Sequence, residues 1–427
     1  MTLLGGETTH SVLRLNRDSV QNKEALEWAD ARLLIIDEIS FASDADFEKM
    51  HEHLKLFMRN HFVDYGGLNV VFAGDFSQLE PVGRDPIYKD GNYCPEFHGA
   101  LNCYIELDGK WRFKNDPRWG NIMSRFREGC PTYEDIDLIN KECLTSSKKP
   151  PKGIQVASYT NKDRDAINAS IFDLWTTANK PSNGSVLRSA CLVFMDELYM
   201  NDGSKTAVPI TSNMVKRHFY ETCTESECNF GSNGRGRVDP VLKLYPDAPM
   251  MLTKNSDVAR GEANGSRVRC KKVSLKGGET PFELLLDNGT KVFAVYASQV
   301  KHILVEHENA DIFPRRFNVE SENFSFKCRM MVGLEELFAA MKGRQFPIIS
   351  NSCTTGHKLQ GCTVNSILAN DWYYGANWVY VVLSRVKTMK GLFIRKPLSK
   401  DLKKYEKPAA MKEMLKKFQE TISVDVH

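Results

Sequence analysis

The run Leu33-Leu34-Ile35-Ile36-Asp37-Glu38 sets the narrowest limit on what this chain can fold into. Four apolar residues in a row suit a buried strand, and two acids at its end put charge where a sheet meets solvent. A second run, Leu68 to Ala73, repeats the device and ends at Gly74-Asp75. Between the two, Phe47, Met50, Leu54, Phe57 and Met58 recur at helical spacing, with Ser43 ahead of them as a cap. Strand, acids, helix, strand, acid is the order of a parallel α/β sheet with functional loops at the carboxyl ends of its strands.

A second α/β unit is expected from about residue 100. Cys103 to Leu107 reads as a strand, Trp119, Ile122, Met123 and Phe126 as one helix face, Ile154 to Ser158 as a strand, and Lys162 to Trp175 as a helix. Gly, Ser and Asn clusters, such as Phe230 to Gly236, predict an irregular insertion over 181–247. Residues 248–304 read as all-β, with Asp287-Asn288-Gly289 as a hairpin turn. The α/β pattern resumes at Phe346 to Ser350, Ile367 to Ala369 and Leu392 to Ile394, and a Lys-rich tail follows from 401 to 427.

With 427 residues, 42% of them hydrophobic, the chain can build two or three cores. A net charge of +3 does not by itself mark a nucleic-acid binder. The eleven cysteines are scattered singly and read as reduced thiols of an intracellular protein. No apolar run approaches the ~20 residues of a membrane-spanning helix. His218, Cys223 and Cys228 form a loose trio, short of the four ligands that structural zinc takes.

Four constellations carry chemistry. Asp37 would hold Mg²⁺, through water or directly, and Glu38 would orient or deprotonate an attacking water. Two solvated acids at a strand end would look the same in isolation. The loop Gly74-Asp75-Phe76-Ser77-Gln78-Leu79-Glu80-Pro81-Val82 weakens that plainer reading, because Gln78 is placed to sense a terminal phosphate. Arg385, in the otherwise apolar Trp378 to Val386 stretch, is either a core arginine or a charge aimed into a cleft. The run Thr354 to Thr363 could bind backbone phosphates or the nucleotide, although taken alone a polar loop capping a helix is the better reading.

Taken in order, these segments resemble the Pif-one-like branch of the superfamily 1 DNA helicases. Asp37-Glu38 resembles its Walker B acids, and Gly74 to Val82 its "GD-x-x-QL-x-PV" loop. His357-Lys358-Leu359-Gln360-Gly361 is similar to "HK-x-QG", with Leu359 where Ser is usual. Val379 to Arg385 is similar to "VY-x-ALSR", with Val382 in place of Ala. Trp111-Arg112-Phe113 stands where the family has "YRQ", and Gly6 to Ser11 resembles the segment that follows its P-loop.

The resemblance covers residues 5–395 apart from the insertion. It implies an α/β fold of two RecA-like parallel-sheet domains, the first incomplete, with a small β-barrel inserted in the second. The implied boundaries are 1–100 for the partial first domain, 101–180 and 305–400 for the second, and 248–304 for the barrel. It implies ATP and Mg²⁺, with Asp37, Glu38, Gln78 and Arg385 catalytic and Asp37 holding the metal. Gly74, Asp75, Arg112, Gln360 and Gly361 would meet the nucleotide, while Thr8, Thr9, His10, Thr355, His357 and Lys358 would meet DNA. The implied partners of a monomer are single-stranded DNA and duplex junctions. The implied activity is 5′-to-3′ ATP-dependent unwinding in repair, recombination or telomere and replication maintenance.

No G-x-x-x-x-G-K-[ST] occurs in these residues. The chain is therefore expected to be a fragment unable to hydrolyse ATP alone. The alternatives are a P-loop-less relic that binds single-stranded nucleic acid, and the helicase part of a mobile-element replication protein.

Overall fold

The structure, a computed structural model, describes residues 6–81, 83–89, 95–107, 109–200, 214, 228–230, 238–308, 316–332 and 335–420. The chain forms two compact units. One is Glu7–Ala157 with Gly356–His427, and the other is Ser158–Thr355 with Met1–Gly6.

In the first unit the strands Leu33–Ile36 and Asn69–Phe72 pair in parallel, Ile36 opposite Phe72. The helix Asp44–Phe57 covers one face with Phe47, Met50, Leu54 and Phe57. Ser43 caps it in a reciprocal box: its Oγ accepts from the Asp46 amide at 3.3 Å, and Asp46 accepts from the Ser43 amide at 3.0 Å. The sequence suggested burial on both faces. Instead Leu33, Ile35 and Val71, which share the other face, are 54%, 61% and 48% exposed.

A second parallel set, Gln155–Ser158, Ile367–Ala369 and Leu392–Ile394, has Ile367–Ala369 in the middle. The helices Pro117–Glu128 and Tyr133–Cys143 pack on it through Trp119, Ile122, Phe126, Ile136 and Ile139. Cys103–Leu107 is not a strand. Tyr104 packs inward and makes an isolated bridge, while Ile105 and Leu107 are 50% and 90% exposed, so the pairing does not extend into a strand.

The Lys-rich C-terminal segment forms the helix Ala409–Glu420, whose Met411, Met414 and Phe418 enter the core around Asp44–Phe57. Phe418 stacks on His98 at 5.6 Å between ring centroids. Burial, reinforced by Lys417, pushes the His98 imidazole down to about 4. Its folded pKa thus lies below the unfolded value of ~6.5. The unfolded chain binds the extra proton in that window, so stability should fall as pH drops from about 6.5 to about 4. His98→Gln is expected to flatten this part of a melting-temperature profile by the equivalent of ~1–3 kcal/mol. An unchanged slope would place the titrating group elsewhere.

The second unit is mostly β. The helix Asn161–Ala178 accompanies two sheets. One has the order Phe282–Leu285, Lys291–Tyr296, Leu187–Phe194, Val241–Leu244, and the other Arg316–Val319, Val300–His307, Arg267–Leu275, Pro249–Leu252, Ile348–Ser350. A further four-stranded sheet contains Glu322–Val332 and Glu335–Gln345. The hairpin expected at Asp287-Asn288-Gly289 joins Phe282–Leu285 to Lys291–Tyr296, and Asn288 Nδ2 donates to the Asp173 carbonyl at 3.1 Å.

Two readings change here. Leu187–Phe194 and Val241–Leu244, within the stretch expected to be irregular, are paired strands burying Leu192, Val193, Leu242 and Leu244. Ile348–Ser350 pairs antiparallel with Pro249–Leu252 and belongs to this unit rather than to an α/β sheet. His218 and Cys223 lie outside the described residues, as does the Cys228 side chain. Among the described residues no group of three or more His, Cys, Asp or Glu side chains is placed to hold a metal. No described helix is long and apolar enough to cross a membrane.

Candidate nucleotide and DNA site

The parallel register of Leu33–Ile36 and Asn69–Phe72 brings the loops after them side by side. The Ala73 amide donates to the Ile36 carbonyl at 2.8 Å, and the Ile39 amide to the Ala73 carbonyl at 3.0 Å. Gly74 is there because the backbones meet: a Cβ would lie 2.8 Å from the Ile39 nitrogen. Glu38 takes a left-handed conformation (φ 55°, ψ 44°), uncommon for a residue with a Cβ. Asp37 is exposed, and its Oδ1 accepts from the Glu38 amide at 2.9 Å.

Glu38 is met by Gln360. The Gln360 Nε2 donates to Glu38 Oε2 at 3.0 Å and to Ser40 Oγ at 3.3 Å, across more than 300 residues of sequence. Gly361 follows at φ 72°, and a Cβ there would stand 3.4 Å from Glu38 Oε1.

Arg385 follows the helix Trp378–Leu383 and is 1% exposed. Its Nε donates to the Val381 carbonyl at 2.8 Å, Nη1 to the Leu359 and Cys362 carbonyls at 3.3 and 3.4 Å, and Nη2 to Ser384 Oγ at 2.8 Å. Arg112 Nη1 donates to the Ser384 carbonyl at 3.2 Å. Two guanidinium groups thus converge on one serine. Burial, and then the Arg112 charge, lowers the Arg385 pKa to about 10. Among the described residues neither arginine has a carboxylate in ion-pair contact.

The Gly74 to Pro81 loop is held from three sides. Arg127 grips Asp75 with two bonds, at 3.1 and 3.3 Å. Lys407 donates to Ser77 Oγ at 2.9 Å, with its own pKa lowered by burial and by Arg127. Asn377 Nδ2 donates to the Gln78 carbonyl at 3.2 Å. The Gln78 Oε1 is buried without a partner, and the Asp75 carboxylate is engaged by Arg127. Val82 lies outside the described residues.

The sequence reading missed Arg127, Asn377 and Lys407. Only Asn377 carried a local signal, as an Asn immediately before an apolar helix.

The DNA candidates are dispersed. Thr8 is the N-cap of the short helix Thr9–Val12, and exposed His10 lies 3.7 Å from Asp46, which also accepts from Arg84 at 2.7 Å. His53 Nδ1 lies 2.7 Å from the Leu13 carbonyl and pins this segment to the helix Asp44–Phe57. His357 and Lys358 are half-buried in the turn Gly356–Leu359. Thr355 belongs to the other unit and is 7% exposed.

Residues 2–94 match the family model described as PIF1-like helicase. Curated relatives include the ATP-dependent DNA helicase PIF1 of Danio rerio, 24% identical over 278 residues, covering 62% of this chain and 37% of that protein. The ATP-dependent DNA helicase PIF7 of Trypanosoma brucei brucei is 33% identical over 258 residues, covering 58% of this chain and 24% of that protein. The chain thus spans less than two fifths of the length of the first curated relatives it matches.

Among solved structures, the Pif1 helicase from Candida albicans superposes with a TM-score of 0.64 at 20% identity, over 98% of this chain and 85% of that one. Bacteroides Pif1 bound to ssDNA gives 0.62 at 17% identity, over 97% and 84%. The fold is therefore the mixed α/β fold with parallel sheets seen in Pif1 helicases, and over residues 2–94 the chain is similar to the PIF1-like helicases.

Proposed function

We propose that this chain is the motor portion of an ATP-dependent DNA helicase that moves 5′ to 3′ along single-stranded DNA. The observation that carries the reading is the convergence of Arg112 and Arg385 on Ser384, next to the Glu38–Gln360 pair. Two adjacent guanidinium groups that, among the described residues, donate to carbonyls and a hydroxyl and to no carboxylate suit a ligand that brings several negative charges, as a triphosphate does. Glu38, on the other side of Gln360, is the base that orients or deprotonates water. Gln78, its Oε1 buried and unpaired, reports on the terminal phosphate. Arg127 donates to both Asp75 carboxylate oxygens, which makes Asp75 a strut for the Gln78 loop.

Asp37 is the residue that would hold Mg²⁺, since one exposed carboxylate and the substrate phosphates are a usual Mg²⁺ shell. Bound there, the ion would neutralise charge between the phosphates. The DNA path runs over Thr8, Thr9, His10, His357 and Lys358. The curated relatives are ATP-dependent DNA helicases, and the Bacteroides Pif1 structures are complexes with ssDNA and with ADP-AlF3 and ssDNA.

Fluorescence anisotropy with a labelled oligo-dT tests the DNA half of this reading. Binding is expected to weaken by about tenfold or more between roughly 50 and 200 mM salt, as phosphate contacts require. Lys358→Glu should weaken it further and flatten the salt slope. Salt-independent binding, or none, would contradict the proposal.

A further inference from the structure

We propose that Gln360 is a positioning residue that latches Glu38 and releases it when DNA engages the neighbouring His357-Lys358 turn; this deepens the reading above and rests on it. Gln360 is 9% exposed, and its amide is committed to Glu38 Oε2 and Ser40 Oγ. An N–H donated to a carboxylate stabilises the anion and fixes its rotamer. While the latch is made, Oε2 of Glu38 is occupied by the Gln360 amide and its rotamer is held, so it is not turned toward an attacking water.

The main chain of Glu38 adds to the constraint. Its left-handed conformation is a strained one, kept only where surrounding contacts over-determine it. Here the Ile39–Ala73 bond, the close approach of Gly74 and the Gln360 amide do so.

The latch also touches the second proposed catalytic group. The carbonyls of Leu359 and Cys362, one residue before Gln360 and two after it, both accept from Arg385 Nη1. Leu359 is fully buried in the core that holds Val379, Val382 and Leu383. A small shift of residues 356–362 therefore moves the amide off Glu38 and the carbonyls off Arg385 in one step. The Gln360 Oε1, buried without a partner, is left as an acceptor for a water or hydroxyl donor beside Glu38.

Hydrogen–deuterium exchange on the 427-residue chain tests this, with oligo-dT as the probe. Gln360→Glu sets two carboxylates together and should raise exchange in peptides over 36–42 by about tenfold, the scale of one charge-assisted bond. Adding Glu38→Gln swaps the partners, Gln donating to Glu, and should restore protection. A role of Gln360 in packing alone would not be rescued from position 38. In the wild type, oligo-dT should lower exchange over 356–359 and raise it over 36–42, and Gln360→Ala should remove the second response.

No rise over 36–42 in Gln360→Glu would overturn the latch. An oligonucleotide that protects 356–359 without any response over 36–42 would overturn the coupling and leave DNA binding standing. If oligo-dT leaves 356–359 unprotected, the DNA reading and the coupling both fail, while the partner swap still decides whether the latch exists.

Discussion

Truncation of the chain after Pro408 is expected to unfold the lobe built on Leu33–Ile36 and Asn69–Phe72. Within the described residues that lobe has a two-stranded sheet with one face covered, and two strands alone are marginal. The C-terminal helix supplies Met411, Met414 and Phe418 at 0%, 0% and 4% exposure. Phe418 stacks on Tyr104 at 5.5 Å and meets Phe76 and Phe97 at 5.9 and 6.0 Å. Each such side chain stabilises by ~1.5–3 kcal/mol when buried, so losing three removes roughly 5–9 kcal/mol. That rivals the ~5–15 kcal/mol that holds a typical domain together.

The single substitution Phe418→Ala should cost ~3–5 kcal/mol. Lys412→Ser, on the exposed side of the same helix, should stay within about 0.5 kcal/mol. Calorimetric or circular-dichroism melts compare the two, and equal melting temperatures would mean the helix is not part of this core.

That helix also shows where sequence reading stops. The spacing of Met411, Met414, Leu415 and Phe418 announces an apolar face, but nothing local says that it covers Phe97 and Phe76. The strands ending at Asp37-Glu38 and Gly74-Asp75 were legible because apolar runs and terminal acids are adjacent in sequence. The Ser43–Asp46 cap and the Asn288-Gly289 turn were legible for the same reason.

The supports of the site were not. Asp75 finds Arg127 52 residues away, Gln78 finds Asn377 299 away, and Ser77 finds Lys407 330 away. Strand pairing is similarly remote. Leu187–Phe194 is stabilised by Val241–Leu244 on one side and Lys291–Tyr296 on the other, so its own Gly- and Ser-rich neighbourhood masked it. Cys103–Leu107 had the composition of a strand, but its pairing stops at a single bridge at Tyr104.

The 427-residue chain is expected to bind ATP weakly and to show no turnover stimulated by single-stranded DNA. It includes no G-x-x-x-x-G-K-[ST], whose N–H nest and lysine hold the phosphates in nucleotide motors. On the proposed reading, Asp37, Glu38, Gln78, Arg112 and Arg385 sense or polarise a phosphate that other groups retain. Charge-assisted contacts are worth ~1.5–3 kcal/mol each, so lacking several leaves little affinity. Joined at its amino end to a P-loop-bearing strand, loop and helix, the same chain should hydrolyse ATP in response to DNA.

In that fusion Arg385→Ala should lower kcat by about 10³-fold or more, the scale of an arginine finger. Arg385→Lys should not rescue it, because a point charge lacks the fork that reaches Val381, Leu359, Cys362 and Ser384 at once. Glu38→Gln should abolish turnover and leave nucleotide binding largely intact, since it removes the base and not the phosphate contacts. A melt of each variant separates lost chemistry from lost folding, which matters for a residue 1% exposed. Turnover by the unfused chain that disappears in Arg385→Ala would show that these residues retain the phosphates without a P-loop. Undiminished kcat in the Arg385→Ala fusion would reduce Arg385 to a cap for three carbonyls.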